Sequence, residues 1–175
     1  MLHTQNEFNK TNKMKRLFLI VLTIMAIATS SSAQEIYYEI RSKAQEDLSN
    51  PATPPLIKQF SNFKVEALNY MAIKMKEEMP DSSATLLDKE ALALNTFLTI
   101  YTNALVKNSQ MPPAHQVKVI GAFMDASYGN PLFNDPDKDL VLVFFKNGDS
   151  MTRFSLDTDW RRAVLAVQQA MKQLE

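Results

Sequence analysis

Residues Leu140-Val-Leu-Val-Phe-Phe145, then Lys146-Asn-Gly-Asp149 and Ser150-Met-Thr-Arg-Phe-Ser-Leu156, predict a β-hairpin. β-Branched and aromatic side chains favour strands, and Asn-Gly tolerates the positive φ angles of a type I′ turn. An isolated two-stranded hairpin is marginally stable in water, so we expect it to pack on the rest of the chain. The second strand has two faces, formed by Met151, Arg153 and Ser155 on one side and by Thr152, Phe154 and Leu156 on the other.

The segment after the hairpin predicts a terminal helix. Asp157-Thr-Asp159 supplies a capping side chain and acidic groups near the helix N-terminus, where negative charge is favourable. The apolar stripe of this helix needs a partner, so we expect the helix to pack on a helical bundle together with the hairpin. Its members are Trp160, Ala163, Val164, Val167, Ala170, Met171 and Leu174.

Further helices are predicted before the hairpin, separated by proline-containing breaks. The helix over Leu87–Leu105 carries two apolar stripes side by side, so we expect it to lie at the centre of the bundle with neighbours on two sides. The others run over Glu35–Leu48, from Leu56 to Met79, and from Pro113 to a stop at Gly129-Asn-Pro131. The predicted fold class is α+β, mainly α: a bundle of four to five helices with one C-terminal β-hairpin followed by a terminal helix.

Residues 1 to 33 have the pattern of a cleavable secretory signal. Met14-Lys-Arg16 is a basic start, Leu17 to Ala28 is an apolar run of 12 residues, and a stretch of small residues ends at Ala33. As a helix this run is about 18 Å long, against a bilayer core of about 30 Å, so we expect cleavage after Ala33 rather than a membrane anchor. Translation starts at Met14 or at Met1.

Charge and cysteine content exclude several function classes. The chain has 19 basic and 19 acidic side chains. Four of the basic side chains and one of the acidic side chains belong to the predicted leader. Residues 34 to 175 therefore have 15 basic and 18 acidic side chains, a net charge of −3. A slightly acidic domain offers no electrostatic footprint for nucleic acid. Without cysteine there is no disulfide, thiol nucleophile, thiolate metal site or lipidated cysteine. We expect residues 34 to 175 to form a single globular domain.

Complete catalytic motifs are missing from the sequence. His115 is the one histidine outside the leader, and its position in the first turn of a helix is an ordinary surface position. Gly148-Asp-Ser-Met151 resembles the block that names the GDSL hydrolases, but no histidine follows Ser150. A Ser-His-Asp triad would have to use His115 from an earlier helix.

Two metal-binding patterns are incomplete. Asp135, Asp137 and Asp139 alternate as in a calcium loop, but the glycine and glutamate required by an EF-hand are replaced by Leu140 and Lys146. This spacing favours an Asp-Pro turn and leaves a loose calcium site as an alternative. A second pattern, of thioethers one helical turn apart, is compatible with copper(I), but it continues an apolar stripe and favours core packing. It consists of Met71, Met75 and Met79.

Surface candidates are aromatic and charged side chains. Tyr128, Phe133, Phe145 and Trp160 cluster around the hairpin, either as an exposed recognition surface or as a buried seal against the helices. The charged stretch around Lys74 and Glu78 is interpreted as a solvated helix face.

The leader, the cut before Gln34-Glu35 and two blocks near the hairpin resemble exported Gram-negative proteins classed only as domains of unknown function. The blocks are Asn130-Pro-Leu-Phe-Asn-Asp-Pro-Asp-Lys-Asp139 and Phe154-Ser-Leu-Asp-Thr-Asp-Trp160. The resemblance implies no activity and no catalytic residue.

We expect an exported binding or interaction domain rather than an enzyme, located in the periplasm or secreted. It is expected to need no cofactor, to recognise an envelope or extracellular protein, and to meet the membrane only through its leader before cleavage. No residue is assigned as catalytic, cofactor-binding or metal-ligating. Two alternatives remain open: a small hydrolase that uses carboxylates such as Asp125 or Asp135, and a weak calcium or metal binder. The sequence leaves the oligomeric state open.

Overall fold

The computed structural model describes residues 35–82, 84–147 and 150–174. The predicted leader and the turn residues Gly148 and Asp149 lie outside the described residues. The predicted fold class is confirmed: the described residues form a mainly helical bundle with one antiparallel hairpin, and a terminal helix follows it. The elements are α1 Glu35–Ser49, α2 Pro55–Glu78, α3 Ala84–Asn108, α4 Pro113–Tyr128, α5 Lys138–Val141, β1 Leu142–Asn147, β2 Ser150–Ser155 and α6 Trp160–Leu174.

Helix α3 lies at the centre of the bundle, as its two apolar stripes predict. It packs against α1, α2, α4 and α6. Leu94, Phe97, Leu98 and Tyr101 are buried on it, because neighbours cover both stripes. Among the described residues, no helix is both long and apolar enough to span a bilayer.

An aromatic core joins the hairpin to the helices. Phe154 on the inner face of β2 packs edge-to-face on Phe97 and Tyr101, with ring centroids 5.3 and 5.1 Å apart. Trp160, at the start of α6, contacts Phe97 and Phe63 in the same way. The predicted packing of the hairpin and terminal helix on the bundle is therefore confirmed. Tyr101 also shares a hydrogen bond of 2.6 Å with the buried Thr152 hydroxyl.

The first strand begins two residues later than predicted. Leu140 and Val141 belong to the short helix α5, because the Asp137 carboxylate accepts the Leu140 N–H at 3.0 Å and caps that turn. The predicted faces of β2 are confirmed for Thr152 and Phe154, which are buried, and for Met151 and Arg153, which are exposed. Ser155, on the face of Met151 and Arg153, is buried at the end of the strand because Ser127 and Thr158 contact it, and Leu156 lies after the strand. Asn147 pairs with Ser150 in the register of the two strands, and the predicted Asn-Gly turn includes Gly148, which lies outside the described residues.

The edges of the hairpin are partly covered. The Gln59 side chain donates to the carbonyl of Lys146 at 3.3 Å and accepts its N–H at 3.2 Å, on the outer side of β1. On β2, the Ser127 hydroxyl accepts the N–H of Ser155 at 3.0 Å, and the Thr158 hydroxyl donates to the Ser155 carbonyl at 2.7 Å. These contacts occupy backbone groups that would otherwise be open to another strand.

Candidate functional site

Asp157 organises the loop between α4 and α5. Its buried carboxylate accepts the backbone N–H groups of Leu132, Phe133 and Asp135 at 2.9, 2.7 and 2.8 Å. Asn134, between the last two donors, has a φ of 56°, a left-handed conformation that asparagine tolerates. The two sequence blocks, Asn130–Asp139 and Phe154–Trp160, contact each other here, and the contact holds the loop in place.

Asp135 ties this loop to helix α2. Its carboxylate accepts hydrogen bonds from the Tyr70 hydroxyl at 2.9 Å and from the backbone N–H of Asp137 at 3.0 Å, and it pairs with the Lys74 ammonium at 3.1 Å. The Asp137 N–H, followed by Lys74 and Tyr70, lowers the pKa of Asp135. Phe133 packs edge-to-face on Tyr70, with 5.9 Å between ring centroids.

The three acidic residues proposed as calcium ligands have separate surroundings. The Asp135 carboxylate is engaged by α2, Asp137 caps α5, and Asp139 is exposed. Within the described ranges, no group of three or more histidine, cysteine, aspartate or glutamate side chains is arranged to hold a metal ion. The loop is held by hydrogen bonds within the protein.

Lys74 departs in part from the interpretation of this stretch as a solvated helix face, because its ammonium is paired on both sides, whereas Lys76, Glu77 and Glu78 are exposed as expected. Its ammonium lies 3.0 Å from Glu78 and 3.1 Å from Asp135, and the side chain is partly buried. The hydrogen bonds to Glu78 and then to Asp135 raise the pKa of Lys74 to about 12. This ammonium keeps its proton at neutral pH, which makes it unsuitable as a general base.

His115 connects two helices. Its Nε2 atom lies 3.0 Å from Oδ1 of Asn108, at the end of α3, while the Asn108 amide donates to the Ala104 carbonyl at 2.8 Å. An amide cannot serve as the carboxylate partner of a catalytic histidine in a Ser-His-Asp triad. The described contacts of His115 are those of a helix connection.

Glu90 is a buried acid that the sequence reasoning did not single out. Its carboxylate accepts the backbone N–H of Trp160 at 2.8 Å and pairs with the Arg161 guanidinium. Burial is the main cause that raises the pKa of Glu90, and Arg161 opposes it. Glu90 holds the N-terminus of α6 against α3. The sequence contains one signal for this buried acid, a glutamate within an apolar helix face. Its partners Trp160 and Arg161 could not be predicted, because they lie at least 70 positions away in the chain.

A groove between α4 and α6 has a volume of about 540 Å³. Small residues, including Gly121, Ala166 and Ala170, form much of its wall. Asp125 is the one residue with a carboxylate among the lining residues, and Lys118 also lines the groove. Asp135 is not part of this lining, so the two carboxylates named for a hydrolase do not share the groove.

A second cavity, of about 360 Å³, lies between α1, α2 and the start of α3. Met75 and Met79 line it together with Tyr37 and Tyr38. Met71 is instead fully buried in the core, so the three methionines do not open onto one cavity. Core packing is confirmed for Met71 and Met75.

The four aromatic residues named from the sequence have different environments. Phe145 and Trp160 are buried in the core, and Phe133 is partly buried against it. Tyr128 is 46% exposed at the end of α4. The four therefore do not form one recognition surface.

A different exposed surface lies on the outer side of the hairpin. Phe144 is 57% exposed and pairs across the strands with Arg153; Met151 is 65% exposed and pairs with Lys146. The Arg153 guanidinium lies over the Tyr128 ring, 5.6 Å from its centroid. We call these five residues, Tyr128, Phe144, Lys146, Met151 and Arg153, the hairpin face. The predicted alternation of β2 placed Met151 and Arg153 together, but the addition of Tyr128 depends on the packing of α4.

Comparison with family models, curated proteins and solved structures found no match to this chain.

Proposed function

We propose that this protein is an exported binding domain that recognises an envelope or extracellular protein through the hairpin face. The observation that carries the proposal is the exposure of Phe144 and Met151 beside Arg153. Aromatic residues, methionine and arginine are the types enriched at protein interfaces, whereas lysine and glutamate are depleted there. Full burial of a Phe or Met side chain contributes about 1.5–3 kcal/mol, so covering both would be a useful part of a binding free energy.

The hairpin face is also well supported by the protein core, which favours binding. Its inner side is held in the aromatic core through Phe154, so the outer side chains are presented by a supported element. The Arg153 side chain rests on Tyr128, which reduces the freedom it would lose in a complex. A pre-organised surface of this kind supports binding rather than a packing role.

Export is part of the proposal and rests on the leader pattern of residues 1 to 33. The same pattern, with the Asn130–Asp139 block, supports membership of an exported Gram-negative family. N-terminal sequencing of the protein recovered from the periplasm or medium is expected to begin at Gln34. A cytoplasmic protein that retains residues 1 to 33 would contradict export.

The experiment for the binding surface is site-specific photo-crosslinking in the producing cell. A photoreactive amino acid replaces Phe144 in one variant and Met151 in another, and Val106, which is 72% exposed on α3, is the matched control. We expect positions 144 and 151 to trap the same protein and position 106 to trap none of it. Equal products from all three positions, or none from 144 and 151, would overturn the proposal.

A further inference from the structure

We infer that the partner presents an acidic segment in which a carboxylate stands beside an aromatic or aliphatic side chain; this inference rests on the proposed function. Lys146 and Arg153 are both basic, and the described residues of β1 and β2 include no acidic side chain. The domain that carries them has a predicted net charge of −3. The hairpin face is thus a local positive site on an acidic domain, and it complements negative charge.

Arg153 supplies a guanidinium that can bind a carboxylate. Its Cζ atom lies over the Tyr128 ring, 5.6 Å from the centroid, and the side chain as a whole is exposed to an incoming ligand. A guanidinium binds a carboxylate with two parallel hydrogen bonds, and an ammonium cannot reproduce this fork. Phe144 pairs directly with Arg153 across the strands, so an apolar contact lies next to the charge contact.

Both strand edges are occupied at one position, which favours recognition through the side chains of the face. At the edge of β1, Gln59 already holds both backbone groups of Lys146. At the edge of β2, Ser127 and Thr158 hold those of Ser155. Addition of a partner strand along either edge would have to displace these contacts, which favours recognition by side chains.

A protein segment fits these charges better than an anionic membrane. Electrostatic binding to anionic lipid typically uses clusters of about four to eight lysine or arginine residues, because each contributes little on its own. The hairpin face has two. Two cations, one of them beside an aromatic ring, match one or two carboxylates.

The test is selection of random peptides displayed on phage against the purified protein, with removal of peptides that also bind a Phe144→Ser variant. We expect the remaining peptides to be rich in Asp or Glu next to aromatic or aliphatic residues. Arg153→Glu should weaken their binding about thirty-fold, the loss typical of an interface hot spot. Arg153→Lys should also weaken it, because the charge remains and the fork is lost. Lys89→Glu, the same kind of charge change at an exposed position on α3, should have no effect.

Each other outcome overturns the inference. Peptides that depend on Phe144 but are neutral or basic would retain the hairpin face as an interface and refute the acidic partner. Binding to phosphatidylglycerol vesicles but not phosphatidylcholine vesicles, unchanged in Arg153→Lys, would assign the face to membrane instead. Absence of any peptide that distinguishes wild type from Phe144→Ser would refute the inference, while the crosslinking experiment reports separately on the proposed function. Circular dichroism melts verify that the variants remain folded.

Discussion

The carboxylate of Glu90 accepts the backbone N–H of Trp160 at 2.8 Å, although 70 positions separate the two residues in the chain. A negative charge at the first turn of α6 is favourable to the helix dipole, and Arg161 provides a second partner. The cost is the removal of a carboxylate from water, since Glu90 is completely buried in the middle of α3. One contact thus joins the central helix to the terminal helix, and the raised pKa of Glu90 predicts that its contribution to stability depends on pH.

Glu90 should make the protein more stable at mildly acidic pH. Because burial raises its pKa in the folded state above the unfolded value of 4.5, the folded protein binds this proton more tightly. Its contribution is fully present below about pH 4.5 and is lost as the pH rises through the higher folded-state pKa. In urea unfolding series from pH 4 to 7, the stability of wild type relative to Glu90→Gln should fall with rising pH. The exposed Glu39→Gln variant should show no such trend, and a flat difference for Glu90→Gln would contradict the prediction.

Asp157→Asn should loosen the loop between α4 and α5. The two carboxylate oxygens accept three backbone N–H groups, and an amide nitrogen in place of one oxygen turns at least one of these contacts into donor against donor. Leaving a buried donor unsatisfied costs about 1–3 kcal/mol. Urea unfolding should report a loss of that size. The control is Asp139→Asn, the same substitution at an exposed position in α5, and it should change stability little.

The two described helix-associated glycines should respond to alanine with opposite signs. A Cβ on Gly129 would lie 2.7 Å from the Asp125 carbonyl oxygen, a backbone atom that cannot move freely. A Cβ on Gly121 would meet nothing within 4 Å, and alanine favours a helix interior over glycine by about 1 kcal/mol. Thermal melts should therefore show a lower Tm for Gly129→Ala and an equal or higher one for Gly121→Ala. The reverse order of Tm values would contradict the close approach of Gly129 to the Asp125 carbonyl oxygen at the end of α4.

Leu98→Asp should abolish folding. The side chain is buried on α3, where an unpaired carboxylate would have neither water nor a cation. The folded baseline in circular dichroism should be absent at neutral pH. Val106→Asp introduces the same side chain at an exposed position of the same helix and should remain folded. A cooperative melt for Leu98→Asp would refute the central position of α3.

Local sequence patterns predicted the long helices and the hairpin. Periodic apolar side chains indicate which face of each helix is buried, and prolines end helices because they lack the N–H that a continuing helix donates. The start of β1 was misjudged for an equally local reason: Leu140 and Val141 favour a strand, but the Asp137 cap recruits them into α5.

The candidate sites depended on contacts that no local pattern contains. Lys74 was expected on a solvated face because its neighbours in sequence are charged, whereas its partner Asp135 belongs to a loop more than sixty positions away. Three of the four aromatic residues expected near the hairpin are buried or partly buried, and the exposed set includes Phe144, Met151 and the Arg153–Tyr128 pair.

The sequence by itself determined the helix periods, the two faces of the hairpin and the exclusion of cysteine chemistry, because each follows from residue type and short-range spacing. Only the tertiary structure decided which polar groups are held inside, such as Asp157 and Glu90, and which aromatic side chains remain outside. The physical reason is that burial and hydrogen-bond partnership depend on elements distant in sequence. For this chain, that difference separates the buried contacts of the loop between α4 and α5 from the exposed side chains of the hairpin face.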